Sequence, residues 1–245
     1  MHRRVQTTKI AGLDVRITGG TDREGGGDGP VVVLLHGFGA SGDDLVPLWR
    51  VLQVPRQVRF VFPEAPLAPR ELGGGRAWWP LDLAAMQAER ARGQRSDRSR
   101  QEPDGMAAAR ERVIALLDGV ETLFGVGGDR IVLGGFSQGA MLSCDVALRT
   151  DRALAGLALL STTLVCRQVW EPRMALRKGL PVLQSHGRRD ELLPFEAAVE
   201  LRDLLRAAGC ALDWVEFNGG HEVPASVLEG LSKLIGTSVA NDSSR

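Results

Sequence analysis

The stretch RIVLGGFSQGAML, residues 130–142, decides how the rest of the chain is read. Ile131, Val132 and Leu133 form a short continuous apolar run, the pattern of a strand buried on both faces. Gly135-Phe136-Ser137-Gln138-Gly139 follows, and a helical pattern runs from there over 138–149. A strand that enters a helix through G-x-S-x-G sets its serine on a sharp turn at the carboxyl edge of a sheet. Glycines flank that serine because side chains there would collide across the turn. The helix N-terminus behind Ser137 offers N–H groups to developing negative charge.

The same alternation extends in both directions. Apolar runs at 31–35, 58–62, 130–134, 154–160, 181–185 and 212–217 predict strands, and helical patterns fall at 44–52, 106–124, 138–149, 194–208 and 224–235. In the second helix Val113, Leu116, Leu117, Val120, Leu123 and Phe124 form one apolar stripe; in the fourth, Phe195, Ala198, Leu201, Leu204, Leu205 and Ala208 do the same. Two β-prone runs at 5–10 and 13–17, around Ala11-Gly12, predict an opening hairpin on a sheet edge. The glycine-rich loop at 19–30 leads into a strand and not a helix, which argues against a phosphate-cradling loop. Strand and helix alternation of this kind implies a doubly wound, mostly parallel α/β sheet with helices on both faces. An Arg-rich insertion at 83–105 interrupts it, with a short helix and a mobile loop expected there. A solvated excursion is the preferred reading of that segment over a substrate lid.

Composition narrows the function. The chain has 245 residues, 44% apolar and 24% charged, enough for one globular domain over 1–245 with its own core. Thirty basic residues balance thirty acidic ones, so no global field favours nucleic acid or an anionic membrane. Twenty-seven of the thirty bases are Arg, which a genomic base-composition bias explains better than an anion-binding surface. Cys144, Cys166 and Cys210 are widely spaced and odd in number, fitting neither a disulfide framework nor a zinc site. The N-terminus lacks the apolar core of a secretory signal, and the longest apolar stretches are too short to span a bilayer. A soluble protein of the reducing cytoplasm, without integral membrane association, is expected.

A serine hydroxyl needs a base, and the chain has four histidines. In an architecture of this type the order is serine, acid, histidine, which leaves His186 and His221. The acids between Ser137 and His186 lie in or near helical segments. His221, in NGGHEVP at 218–224, follows a strand on a glycine loop and is the expected general base. Asp190, in SHGRRDELLP at 185–194, follows the strand at 181–185 and is the expected acid; the bland alternative is that it caps the next helix. The backbone N–H groups of Phe38 and Gln138 are the expected oxyanion donors, Phe38 from the loop HGFGASGDD at 36–44. His36 reads as structural. His186 with Asp190 is too sparse a pair to hold a metal, and neither metal nor cofactor is required.

Four segments, HGFG at 36–39, GGFSQG at 134–139, HGRRD at 186–190 and GGHEVP at 219–224, together resemble the phospholipase/carboxylesterase family of serine hydrolases, which includes acyl-protein thioesterases and small bacterial carboxylesterases. The resemblance runs over nearly the whole chain. It implies an α/β-hydrolase fold and hydrolysis of small carboxylic esters or thioesters through an acyl-enzyme, with Ser137, Asp190 and His221 as triad and Phe38 and Gln138 as oxyanion donors. The family often has a Trp, an aromatic and an Asp where this chain has AWWPLD at 77–82, and its insertion after that point is larger than in the compact thioesterases. Trp78 and Trp79 are expected either to wall the substrate pocket or to pack in the core. A serine carboxylesterase is the leading reading; a thioesterase or lysophospholipase on long acyl chains, and a binding protein on the same scaffold, are the alternatives.

Overall fold

Val31, Val33 and Leu35 join one hydrophobic cluster while Val32 and Leu34 join another, because their strand is covered on both faces. The structure, a computed structural model, describes residues 5–82, 88, 91–92 and 97–243. Its strands are β1 (Gln6–Ile10), β2 (Leu13–Gly19), β3 (Val31–Leu35), β4 (Arg59–Pro63), β5 (Ile131–Phe136), β6 (Gly156–Leu160), β7 (Pro181–Gly187) and β8 (Ala211–Phe217). They form one sheet in the order β1-β2-β4-β3-β5-β6-β7-β8. From β4 to β8 every neighbouring pair is parallel; β1 and β2 form the antiparallel edge hairpin, and β2 runs antiparallel to β4.

The described helices are α1 (Leu48–Val51), α2 (Met106–Phe124), α3 (Gln138–Arg149), α4 (Arg167–Met174), α5 (Phe195–Ala207) and α6 (Ala225–Ser243). Val113 and Leu117 of α2, Leu142 and Val146 of α3, Trp170 of α4 and Leu201 of α5 pack with Val33 and Leu133 on one face. Leu48 of α1 and Val227, Leu231 and Ile235 of α6 pack with Leu34, Phe60 and Leu160 on the other. None of the described helices is long and apolar enough to cross a membrane.

Several elements differ from expectation for visible reasons. The helix expected over 44–52 shrinks to α1, because the residues before it close i to i+3 turns, as in Asp44 N–H to Ser41 O and Leu48 N–H to Leu45 O. The last helix runs on to Ser243, since Leu234 and Val239 continue its buried stripe. Leu123, expected on the buried stripe of α2, is 55% exposed. Helix α4 forms where the sequence pattern predicts none. Of the insertion, residues 83–87, 89–90 and 93–96 lie outside the described residues, and with them the expected short helix. Residues 97–105 are mostly exposed, and they are tethered to the body of the domain: the N–H groups of Cys166 and Arg167 donate to Gln101 O and Ser99 O, and Glu102 accepts from Arg110 and Arg149.

Candidate active site

The turn between β5 and α3 holds Ser137 at φ 55° and ψ −117°. These dihedrals mirror an extended residue and match the first central position of a type II′ turn, where glycine is the default and any side chain costs about 1–3 kcal/mol. The turn is fixed on both sides: Ser137 N–H donates to Leu160 O at 2.9 Å, and Ser137 O accepts from Ala140 N–H and Met141 N–H, each at 3.0 Å. The flanking glycines answer close contacts. A Cβ on Gly135 would lie 2.4 Å from Leu35 O, and one on Gly139 2.1 Å from the same oxygen, so the start of α3 is pressed onto the end of β3.

The loop after β3 comes to the same place. A Cβ on Gly37 would stand 3.2 Å from the Phe136 ring and 3.4 Å from Ser137 Cβ. Among the described residues the N–H groups of Phe38 and of Gln138, the first residue of α3, meet no protein acceptor. His36 is buried beneath this loop: its Nε2 accepts Ala65 N–H at 3.0 Å, which leaves Nδ1 to donate to Gly37 O at 2.8 Å. Burial pushes its pKa down and keeps the ring neutral. It is a structural residue, as its neighbours make plain.

Beyond its backbone, Gln138 does something the sequence did not announce. Its fully buried carboxamide accepts Trp78 N–H at 2.8 Å and donates to Trp79 O at 2.9 Å, while Trp78 Nε1 donates to His36 O at 3.0 Å. The Trp78-Trp79 segment, the loop after β3 and the start of α3 are thereby stitched together. Both indoles are buried, Trp78 2% and Trp79 1% exposed, and both pack in the main hydrophobic cluster.

Asp190 sits on the loop after β7 and divides its carboxylate between two tasks. Oδ1 accepts the N–H groups of Leu192 at 2.8 Å and Leu193 at 2.9 Å, and Oδ2 meets His221 Nδ1 at 2.6 Å. It therefore closes the local turn and also orients the imidazole. Burial alone would raise its pKa; the hydrogen bonds from His221 and Leu193 and the nearby imidazoles outweigh that and hold the carboxyl below its ordinary value. His186 is wholly buried beside it, with Nε2 3.0 Å from Leu193 O and 3.4 Å from Asp190 Oδ2, and burial lowers its pKa.

His221 follows β8, and its loop packs hard against the end of β7. A Cβ on Gly187 would lie 2.2 Å from Gly220 O, and Arg188 and Arg189 donate backbone N–H groups to Phe217 O and Gly219 O. The His221 ring rests 4.7 Å, centre to centre, from that of Phe136, the residue before Ser137. Ser161, at φ 48°, reaches Glu222 O with its hydroxyl at 3.4 Å and ties this loop to the end of β6. Thus Ser137, Asp190, His221 and the Phe38 loop all stand at the carboxyl rim of the sheet, on the loops after β5, β7, β8 and β3. Among the described residues no group of three or more His, Cys, Asp or Glu could hold a metal ion.

Residues 24–239 match the phospholipase/carboxylesterase family. The chain belongs to this family. Acyl-protein thioesterase 1 of Neurospora crassa is 27% identical over 214 residues, covering 83% of this chain and 84% of that protein. A probable carboxylesterase of Oryza sativa subsp. japonica is 29% identical over 211 residues, covering 83% and 76%. The crystal structure of esterase PE8 superposes with a TM-score of 0.76 at 26% identity, covering 91% of this chain and 97% of that one. The sheet order and these neighbours make the fold that of an α/β-hydrolase.

Proposed function

We propose that this phospholipase/carboxylesterase family member is a serine carboxylesterase that works through an acyl-enzyme on Ser137. The observation that carries the reading is the serine held at φ 55° on the strand-to-helix turn, at the same rim as a histidine whose Nδ1 is 2.6 Å from a buried carboxylate. With Nδ1–H donated to Asp190, Nε2 of His221 is the free base. It takes the Ser137 proton as Oγ bonds to the ester carbonyl carbon, and the carbonyl oxygen becomes an alkoxide facing the N–H groups of Phe38 and Gln138. His221 returns the proton to the departing alcohol as the C–O bond breaks; a water, deprotonated by the same ring, then releases the acid and restores Ser137. No step calls for a cofactor. Three buried, unpaired cysteines are in keeping with a reducing cytoplasm.

A second reading, an acyl thioesterase, has a specific support in the relative named acyl-protein thioesterase 1. The same base and donors serve a thioester, so leaving-group and chain-length profiles decide. Wild-type enzyme with p-nitrophenyl acetate, butyrate, octanoate and palmitate, beside the matching acyl thioesters, is expected to show a burst of one p-nitrophenol per chain and highest kcat/KM on the short esters. A steep rise with chain length on thioesters would replace the first reading by the second. Absence of turnover on every member would leave a binding protein on this scaffold.

A further inference from the structure

The opposite rim of the sheet carries a cavity of ≈ 600 Å³ that none of the steps above uses. Its floor is apolar, made by Leu52, Val58 and Phe60, each buried. Thr18 of β2 and Trp49 of α1 form its walls. Thr18 pairs with Phe60 across the strands and, by alternation with Ile17, faces the same side as Phe60, where Trp49 also packs. Two polar groups are stranded there: Thr18 Oγ1, on a residue 1% exposed, and Trp49 Nε1 are buried without a protein hydrogen-bond partner among the described residues. Leaving such a donor unmatched is costly, so an acceptor from a ligand would be rewarded.

The mouth has the opposite character. Arg23, Arg50 and Arg56 line it, all exposed and none in an ion pair with a described carboxylate. Arg50 lies over the Trp49 ring, 5.5 Å from its centre. The nearest acids along the chain, Asp22 and Glu24, flank Arg23, and Asp22 Oδ1 is occupied by the N–H groups of Glu24 and Gly26. The wall is braced from the other side, since Gln53 N–H donates to Ser232 Oγ of α6 at 3.0 Å. A cationic mouth, an apolar floor and two unmatched inner donors together describe a site for one kind of molecule.

We propose that this cavity binds a small organic anion, a carboxylate or phosphate on a compact apolar body whose far end carries a carbonyl or hydroxyl oxygen. The arginines hold the anion, Leu52, Val58 and Phe60 take the body, and Thr18 and Trp49 donate to the inner oxygen. The site stands apart from the Ser137 rim and does not depend on the esterase reading.

Two probes differ only in headgroup, 4-acetylbenzoate and 4-acetylphenyl phosphate; benzoate, acetophenone and inorganic phosphate are the controls. Binding is followed on the indole N–H resonances of the five tryptophans, with Trp49 assigned through Trp49→Phe. Both acetyl probes are expected to move the Trp49 signal, and the tighter one names the preferred headgroup. The variant Arg50→Gln/Arg56→Gln is expected to weaken binding at least about tenfold, and Thr18→Val to weaken the acetyl probes while leaving benzoate unchanged. Ester turnover stays at the wild-type rate in both variants. No movement of the Trp49 signal at about 5 mM probe, equal binding of acetophenone, or undiminished binding by the arginine variant would each overturn the proposal.

Discussion

His221 Nδ1 lies 2.6 Å from Asp190 Oδ2, while the other oxygen of the same carboxylate is held by Leu192 N–H and Leu193 N–H. The direction of the acid is therefore set by its own loop before the imidazole takes a charge. Replacing Asp190 by Asn keeps an oxygen for the turn and turns an NH2 toward Nδ1, which forces the wrong tautomer on His221. We expect an intact fold with kcat lowered about 10⁴-fold. Circular dichroism and steady-state kinetics on D190N check this, and a variant within about tenfold of wild type would deny Asp190 its role in fixing the His221 tautomer.

Strain at Ser137 predicts a gain of stability from a residue that accepts its dihedrals. Ser137→Gly should raise stability by about 1 kcal/mol, since the strain relieved exceeds the added freedom of the unfolded chain. Ser137→Ala keeps the side chain and should show no such gain. Both should lose about 10⁶-fold in kcat. Urea melts of the three proteins give the ordering, and a glycine variant less stable than alanine would contradict the strain.

Gln138 offers a test in which side chain and backbone separate. Gln138→Met preserves volume and the backbone N–H but leaves Trp78 N–H and Trp79 O buried and unmatched, at a cost of about 1–3 kcal/mol for each group. Turnover should fall with it, because the segment that braces the loop after β3 is released. Gln138→Glu keeps the acceptor for Trp78 and should fall between the two. Melts and kcat measured on the same preparations check the order.

Acid sensitivity follows from two buried rings. His36 and His186 are 2% and 0% exposed, and burial holds both below the ordinary imidazole pKa. As pH drops below about 6.5 the unfolded chain gains a proton at each and the folded one does not, so stability falls with pH until the lower folded-state pKa values are reached. Each ring contributes at most about 1.4 kcal/mol per pH unit. Asp190 acts in a separate window: its carboxyl is held low when folded, so its contribution is present above about pH 3.9 and is lost below it. Thermal melts between about pH 7 and 5 should decline, and His36→Gln should flatten part of that decline. A melting temperature constant over this interval would contradict the neutral buried rings.

Much of this was legible because it is local. The run from Ile131 to Gly139 carries strand, turn and helix within a few residues, and Asp190 and His221 each follow an apolar run on a short loop, so their arrival at one rim follows from parallel strands. The setting of Trp78 and Trp79 was not legible: an aromatic pair reads alike as wall or core, and the bond that anchors their segment, from Trp78 N–H to the Gln138 side chain, spans 60 residues of chain. Helix α4 was hidden for a related reason. It carries Pro172 inside, buries only Trp170 and Met174, and is held by distant groups, with Trp170 Nε1 on Asp145 and Arg167 paired to Glu200. Tertiary contacts, not periodicity, make that helix.

The central claim is an activated serine at position 137, and covalent labelling tests it most directly. Wild-type protein treated with a fluorophosphonate and weighed intact should gain one adduct per chain, mapped to the peptide containing Ser137, and Ser137→Ala and His221→Ala should gain none at the same rate. Folded wild-type protein that takes up no adduct, or a Ser137→Ala variant labelled as fast as wild type, would contradict the account.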